Sequence, residues 1–254
     1  MFHSMKMTMR LDLYLSERGL TSSRTEAKNL INNGKVAVCG HIITKPSFEV
    51  DDIDPDAVSV DRSALKYVSR GGLKLEGALK NFSLDPSGKN ALDIGSSSGG
   101  FTDCLLQNGA NHVIAVDSGR DQMVQTLAKD PRVTLLEGFN ARYMSRSDFE
   151  YVPNFAVMDV SFISATLIIP AVYNVLDDDS DFVCLIKPQF EVGRSGLSKG
   201  GIVRDNSLHR IALDKVISSA TACGFSLAGT MRSPIEGGDG NVEFLAHFKK
   251  ESSK

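Results

Sequence analysis

Ala91-Leu92-Asp93-Ile94-Gly95-Ser96-Ser97-Ser98-Gly99-Gly100-Phe101-Thr102-Asp103 decides how this chain of 254 residues folds. Ala91 to Ile94 reads as a short buried strand, the glycine and serine run as a turn, and the residues after it as the start of a helix. The next apolar run, His112 to Val116, ends in Asp117, 22 residues after Gly95. Strand, glycine turn, helix and a second strand closing on a carboxylate is the layout of a nucleoside-binding βαβ unit. The glycines let the backbone approach a ligand, and the carboxylate can hold ribose hydroxyls.

Spacing separates three candidate ligands. A dinucleotide fingerprint needs G-x-G-x-x-G, but Ser97 stands where its second glycine would meet a pyrophosphate. A phosphate-binding loop needs Lys and then Ser or Thr after its last glycine, and here Phe101 and Thr102 follow instead. S-adenosylmethionine has no phosphate and asks only for close backbone approach and the acidic residue, so it is the cofactor this turn favours. Tight strand–helix packing and a degenerate dehydrogenase remain as alternatives at this point.

Outward from the turn, strands and helices alternate. Leu75, Ala78, Leu79 and Phe82 form the apolar side of a helix before the pivotal strand. After it come candidate strands Val133 to Leu136, Phe155 to Met158 and Phe182 to Ile186, then Leu227 to Met231 and Val242 to Phe248. Ile163 to Val175 is expected as a helix bent at Pro170, and Leu208 to Cys223 as a helix burying Ile211, Leu213, Val216 and Ile217. The expectation is an α/β fold, a Rossmann-like, mostly parallel sheet with helices on both faces, its ligand beyond the carboxyl ends of the strands.

The first 60 residues read as a separate small module. Leu11, Leu13, Leu15 and Leu20 suggest a first helix. Ser23 to Glu26 has capping-box spacing for a second, which Gly34 closes. A strand from Lys35 to Cys39, a turn at Gly40-His41 and a returning strand from Ile42 to Thr44 follow. From Met1 to Phe48 seven basic residues face three carboxylates, although the whole chain carries -3. A basic module in an acidic protein is the local footprint of nucleic-acid binding, even though each Lys or Arg alone reads as a solvated surface charge.

Three residues at strand ends carry candidate chemistry. Asp159 and Lys187 each end a buried strand, and Glu243 opens the last one, which reaches the same edge if it runs antiparallel. Lys74, on the helix before the sheet, can join them. Methyl transfer from a sulfonium to a ribose hydroxyl is an in-line displacement whose weak partner is the hydroxyl. A lysine beside a second cation can accept or steer its proton, with carboxylates orienting the ammonium groups. For any one of the four, an ordinary salt bridge is the plainer reading; their convergence favours catalysis.

Two resemblances draw these pieces together. Arg10-Leu11-Asp12, Ser22-Ser23-Arg24-Thr25-Glu26-Ala27, Leu30-Ile31 and Gly34-Lys35-Val36 resemble the S4-type RNA-binding module, two helices followed by a small curved sheet, with Asp12 read as a local helix-start residue. The glycine turn with Lys74, Asp159, Lys187 and Glu243 resembles the FtsJ-like ribose 2′-O-methyltransferases. The wider set, Val68-Ser69-Arg70-Gly71, Asp159-Val160-Ser161-Phe162-Ile163-Ser164, Lys187-Pro188-Gln189-Phe190-Glu191-Val192-Gly193 and Gly240-Asn241-Val242-Glu243, is similar to the TlyA (haemolysin A) family.

The resemblance implies a small α+β S4-type domain at 8–60, a linker at 61–73 and an S-adenosylmethionine-dependent methyltransferase domain at 74–250. It implies 2′-O-methylation of cytidine in ribosomal RNA of the ribosomal subunits, with Lys74, Asp159, Lys187 and Glu243 catalytic. Cofactor contacts would come from Asp93, Gly95, Ser96, Ser97, Gly99, Gly100, Phe101, Asp117, Asn140 and Asp159. RNA contacts would come from Arg10, Arg18, Arg24, Lys28, Lys35, Arg70, Arg194, Lys199 and Arg204. Ser97-Ser98 departs from the Ala-Pro common in FtsJ-like turns. The glycine-rich stretch from Lys187 to Arg204 suits a phosphate clamp and equally a flexible surface loop.

Composition sets the outer bounds. Hydrophobic content of 42% and charge of 23% are those of an ordinary globular protein. No apolar run approaches the ~18 residues of a membrane helix, and Met1 to Arg10 has no hydrophobic signal region, so a cytoplasmic location is expected. Cys39, Cys104, Cys184 and Cys223 are isolated and expected as buried thiols, and the histidines form no ligand pair, so no metal is expected. A haemolysin or pore-former and an inactive RNA-binding ribosome factor are the rival readings.

Overall fold

The computed structural model describes residues 8–21, 24–51, 54–61, 66–193, 196–198, 200–237 and 240–252, and structural counts refer to these. The chain divides into two units, Met1–Arg70 and Gly71–Lys254.

In the small unit, β1 (Thr8–Arg10) leads into α1 (Leu11–Glu17) and α2 (Arg24–Asn32), followed by β2 (Val36–Val38), β3 (His41–Ile43), β4 (Glu49–Asp51) and β5 (Val58–Val60). β1 pairs antiparallel with β4, and β2 lies between β3 and β5. Leu11, Leu15, Ala27, Ile31 and Val36 close its core with no exposed surface. Gly34 ends α2 in the left-handed region at φ +67, with Lys35 N–H reaching back to Leu30 C=O. The hairpin turn is Cys39-Gly40 rather than Gly40-His41. Both residues take positive φ, the requirement of a two-residue turn, with Val38 and His41 paired across it. Cys39 is thereby exposed, against expectation, while Cys104 and Cys184 are buried. The capping-box Ser23 lies outside the described residues.

The large unit runs α3 (Gly71–Phe82), β6 (Asn90–Ile94), α4 (Gly100–Gln107), β7 (His112–Asp117), α5 (Gln125–Ala128), β8 (Val133–Glu137), β9 (Phe155–Met158), α6 (Ile169–Val175), β10 (Ser180–Ile186), α7 (Pro188–Glu191), α8 (Asn206–Ala222), β11 (Ser226–Arg232) and β12 (Phe244–Lys250). α3 begins at Gly71, so the last three residues assigned to the linker are helical. The seven strands form one sheet in the order β11-β12-β10-β9-β6-β7-β8, parallel except at β12. Being covered on both faces, β6, β9 and β10 are apolar runs rather than alternations. α6 and α8 cover one face through Ile169, Val172, Val216 and Ala220, and α4 covers the other, where Thr102 bonds Asp93.

Two helices differ from expectation. Ile163 is not helical: a 3₁₀ turn spans Ala165–Leu167, and α6 starts at Ile169 with Pro170 in its first turn, where a missing N–H costs nothing. In α8 the buried line is His209, Ala212, Val216 and Ala220, while Ile211 is 55% exposed. The helix rides close to the sheet on small residues, so Leu213 and Ile217 only flank that line. No helix among the described residues is long and apolar enough to cross a membrane.

Candidate active site

The sheet order changes direction at β6, which has β7 on one side and β9 on the other. That switch point opens a crevice beyond the carboxyl ends of the strands. A cleft of about 430 Å³ fills it, walled by residues that include Gly95, Ser97, Asp117, Phe139, Asn140 and Asp159. Gly95 takes φ +82, and a Cβ there would run into the Asp159 carbonyl. Only glycine lets the ends of β6 and β9 come this close.

Asp117, the last residue of β7, accepts Ser97 N–H at 2.8 Å on one oxygen and Gly119 N–H at 2.7 Å on the other. Each oxygen keeps a lone pair for a further donor. The loop that follows is held by Glu137, whose carboxylate accepts Gln122 N–H at 3.0 Å and Asp121 N–H at 2.7 Å. Those N–H groups hold the Glu137 carboxyl below its usual range. Asn140 spends its side-chain oxygen on Arg142 N–H, capping a short 3₁₀ turn.

Not every residue expected to touch a cofactor reaches the cleft wall. Among the described residues, Asp93, Ser96, Gly99, Gly100 and Phe101 do not line it. Phe101 is buried at the start of α4, and Gly99 caps that helix in the left-handed region. Asp93 has no exposed surface and accepts the Thr102 hydroxyl at 2.6 Å. Burial, with Asp159 and Asp117 adding repulsion, pushes its carboxyl up to about 7 against that hydrogen bond. Among the described residues its other oxygen and the Ser96 hydroxyl are buried without a hydrogen-bond partner. Residues missed by sequence reasoning include Phe139, Gln122 and the run Val160 to Ile163. Phe162 is 92% exposed at φ +65, with its ring 5.2 Å from that of Phe190. A bulky residue in that backbone region is a genuine outlier, and such outliers gather at functional sites.

The four candidate catalytic residues form two ion pairs. Lys74 Nζ meets Glu243 Oε2 at 2.5 Å, and Lys187 Nζ meets Asp159 Oδ1 at 2.5 Å. Lys187 also donates to Ser161 Oγ at 2.8 Å. Asp159 and Lys187 are the first residues past β9 and β10. β12 runs antiparallel to β10, with Ile186 opposite Phe244, so Lys187 and Glu243 follow side by side. Glu243 stands one residue before the strand rather than in it. Its segment is fixed by Ser233 N–H on the Glu243 carbonyl and by buried Asn241, which accepts Val203 N–H.

The candidate RNA residues fare unevenly. Asp12, fully buried, receives Arg10 on both oxygens at 3.0 and 3.1 Å and Arg24 at 3.0 Å, so it organises two guanidiniums rather than merely opening a helix. Arg18 lies over the Tyr14 ring, Lys35 pairs with Asp61, and Lys28 and Arg204 are exposed. Arg70 is half-buried, and Arg194 and Lys199 lie outside the described residues. No group of His, Cys, Asp and Glu among the described residues is arranged to hold a metal.

A sheet of this order with a glycine turn and a strand-end carboxylate defines a Rossmann-like methyltransferase fold. The chain belongs to the FtsJ-like methyltransferase family, which matches residues 67–250, and carries an S4 domain, which matches residues 9–54. It is 39% identical to the 16S/23S rRNA (cytidine-2'-O)-methyltransferase TlyA of Mycobacterium tuberculosis, over 96% of this chain and 91% of that one. It is 44% identical to Hemolysin A of Brachyspira hyodysenteriae, over 94% of this chain and 99% of that one. A solved structure described as a "Putative hemolysin from Streptococcus thermophilus" superposes with a TM-score of 0.76 at 44% identity, covering 98% of this chain and 90% of that one. An S-adenosylmethionine dependent methyltransferase from Mesorhizobium loti shares the fold alone, with a TM-score of 0.53 at 11% identity over 70% of this chain and 98% of that one.

Proposed function

We propose that this chain transfers a methyl group from S-adenosylmethionine to the ribose 2′-hydroxyl of a cytidine in ribosomal RNA. The observation that carries this reading is the pairing of Lys74 with Glu243 and of Lys187 with Asp159 at the carboxyl edge of the sheet, with Asp159 on the cleft wall. The substrate class follows the names of the relatives, and the RNA side is supported by the S4 domain.

The cleft suits the cofactor. About 430 Å³, it combines apolar walls from Ile94, Val116, Phe139 and Ile168 with a few polar groups, the pattern of a small-molecule site. S-adenosylmethionine, when bound, supplies a methyl on a sulfonium, already activated for displacement. Asp117 has the position and the free lone pairs to accept ribose hydroxyls, and the glycine turn leaves the backbone open beside it. The Lys187 ammonium, steered by Asp159 and Ser161, orients the attacking hydroxyl, and the Asp159 carboxylate is placed to take the proton that the hydroxyl releases and pass it to water. Lys74 and Glu243 complete a balanced set of two cations and two anions, so no charge is buried alone. Phe162, exposed at the mouth of the cleft, offers a platform on which a base can stack.

In this reading residues 8–60 form the RNA-binding domain and 74–250 the catalytic domain, with 61–73 between them, its last three residues already in α3. Arg10, Arg18, Arg24, Lys28, Lys35, Arg70, Arg194, Lys199 and Arg204 meet phosphates. The test is incubation of the protein with labelled S-adenosylmethionine and ribosomal subunits lacking the modification, followed by mapping of the labelled nucleotide. Label on the ribose of a cytidine is the expected result; label on a base, or none, would refute it.

A further inference from the structure

Asp159 and Lys187 sit on separate segments, joined there, among the described residues, only through the Lys187 ammonium, which meets Asp159 and Ser161. The two segments are joined again a few residues on, by a side chain the reaction above does not use. Glu191, the last residue of α7, is a carboxylate only 7% exposed. Its Oε1 accepts Ala165 N–H at 2.7 Å, and its Oε2 accepts the Ser164 hydroxyl at 2.5 Å. Lys215, on α8, pairs with that Oε2 at 3.1 Å and donates to the Glu191 carbonyl at 2.9 Å. The carboxylate therefore grips the end of the Asp159 segment, while a lysine from a third element grips the carboxylate.

The geometry gives this brace a task. At its start the Asp159 segment is tied by Asp159 N–H on the Ile94 carbonyl at 2.9 Å. At its end it is tied by Ser164 and Ala165 on Glu191. Between the ties stands Phe162 in the left-handed region, a conformation that persists only where the surroundings over-determine it. Phe190, the neighbour of Glu191, lies against the Phe162 ring. On the other side Glu191 is four residues past Lys187, with Phe190 N–H bonded to the Lys187 carbonyl at 2.9 Å.

We propose that Glu191 is a positioning residue, whose carboxylate locks the Lys187–Glu191 segment to the Asp159–Ala165 segment and so sets the approach of Lys187 to Asp159. The proposal rests on the methyltransferase reading. The braced segment contributes Asp159 and Val160 to Ile163 to the cleft wall, but Gly95, Ser97 and Asp117, which face the ribose side, belong to other segments, so the main effect of the brace falls on the rate of the chemical step. A merely structural role would lower stability and cofactor affinity together.

Glu191→Gln keeps the shape and the acceptor for Ala165 N–H while losing the charge that Lys215 and Ser164 meet. The experiment uses the full chain, S-adenosylmethionine and unmodified ribosomal subunits, with three readouts: cofactor Kd by calorimetry, melting temperature, and single-turnover rate at saturation. The expected result is a cofactor Kd within about twofold of wild type and a rate about tenfold or more lower. In Glu191→Gln/Lys187→Ala the added loss should vanish, since the double variant should be no slower than Lys187→Ala. A folded Glu191→Gln protein at wild-type rate overturns the proposal, as does a rate that falls only in step with Kd. Should Glu191→Gln fail to fold, Ser164→Ala removes one hydroxyl of the brace. A severalfold slower rate at unchanged Kd and melting temperature supports it, and an unchanged rate overturns it. An inactive wild type refutes the activity itself and takes the brace with it, whereas an active wild type with an equally active Glu191→Gln refutes only the brace.

Discussion

Two charge clusters, one at Asp12 in the small unit and one at the carboxyl edge of the large sheet, handle buried charge in opposite ways. In the small unit one enclosed carboxylate, Asp12, holds two guanidiniums whose side chains stay 46% and 47% exposed. The cluster keeps a surplus positive charge turned to solvent. At the carboxyl edge of the large sheet each lysine has its own carboxylate, and Lys74 and Lys187 are 10% and 11% exposed. Surplus charge at a surface is what a phosphate backbone recognises. Balanced charge out of water is costly to assemble and adds little to stability, so its retention argues for chemistry.

The sharpest way to break the comparison is at the balanced edge. Lys187→Ala should lower methyl transfer by about 10²–10⁴-fold, the usual worth of a positioned acid–base group. RNA retention on a filter should be unchanged, and a rate within a few-fold of wild type would remove Lys187 from the chemistry. Lys74 tests the energetic half. Lys74→Met alone leaves Glu243 buried and unpaired, a loss of about 3–5 kcal/mol in chemical denaturation. Lys74→Met/Glu243→Leu should recover that loss or exceed wild-type stability, and still transfer no methyl. A double variant as unstable as the single one would mean that the pair is there for the fold.

The division between what the sequence displayed and what it concealed follows the same physics. Asp159 and Lys187 were legible because each ends an unbroken apolar run, and a parallel sheet buried on both faces writes its strands that way. The antiparallel β12 needed only a conditional reading, since pattern alone does not state direction. The three-residue strands β1 and β5 were not legible, because pairs so short are set by partners distant in sequence. Ile211 misled because helical period fixes a face only to within a residue or so, and the sheet chose the line of alanines. Glu191 is the one carboxylate between Lys187 and Arg204, among Lys187, Arg194, Lys199 and Arg204, and its partners Ser164 and Lys215 carry no sequence mark that joins them. The turn residues were found as a set, yet of those expected to touch the cofactor between Asp93 and Phe101 only Gly95 and Ser97 line the cleft.

Asp93 makes a second contrast with Asp12, for both carboxylates are fully enclosed. Burial opposes ionisation of Asp12, but hydrogen bonds from Arg10 and Arg24 outweigh it and hold the carboxyl below its usual range. Asp93 has no cation beside it, only the neutral donors of Thr102, and burial leaves it near 7. Between about pH 4 and pH 7 the native state then holds a proton that the unfolded state has released, so stability falls as pH rises through this window. Above it the slope vanishes. At about 1.4 kcal/mol per pH unit the fall is on the order of 4 kcal/mol. Urea titrations of wild type and Asp93→Asn across this range should show a slope in the first that is missing from the second. Equal slopes would place the titration elsewhere.

The smallest effect tests the exposed side of the comparison. Arg10 and Arg24 are ordered by Asp12 before any ligand arrives, so each can meet a phosphate without first losing side-chain freedom. Arg10→Ala and Arg24→Ala should each weaken binding of ribosomal RNA and reduce the slope of log K against log salt by about 0.7–0.9, one phosphate contact apiece. Asp12→Asn should do less to the slope, because both cations remain, and more to the affinity at fixed salt, because neither is held. A variant that loses affinity with no change in slope would mean that the arginines stabilise the S4 unit and do not touch the backbone of the RNA. The surplus charge would then be only the cost of burying Asp12.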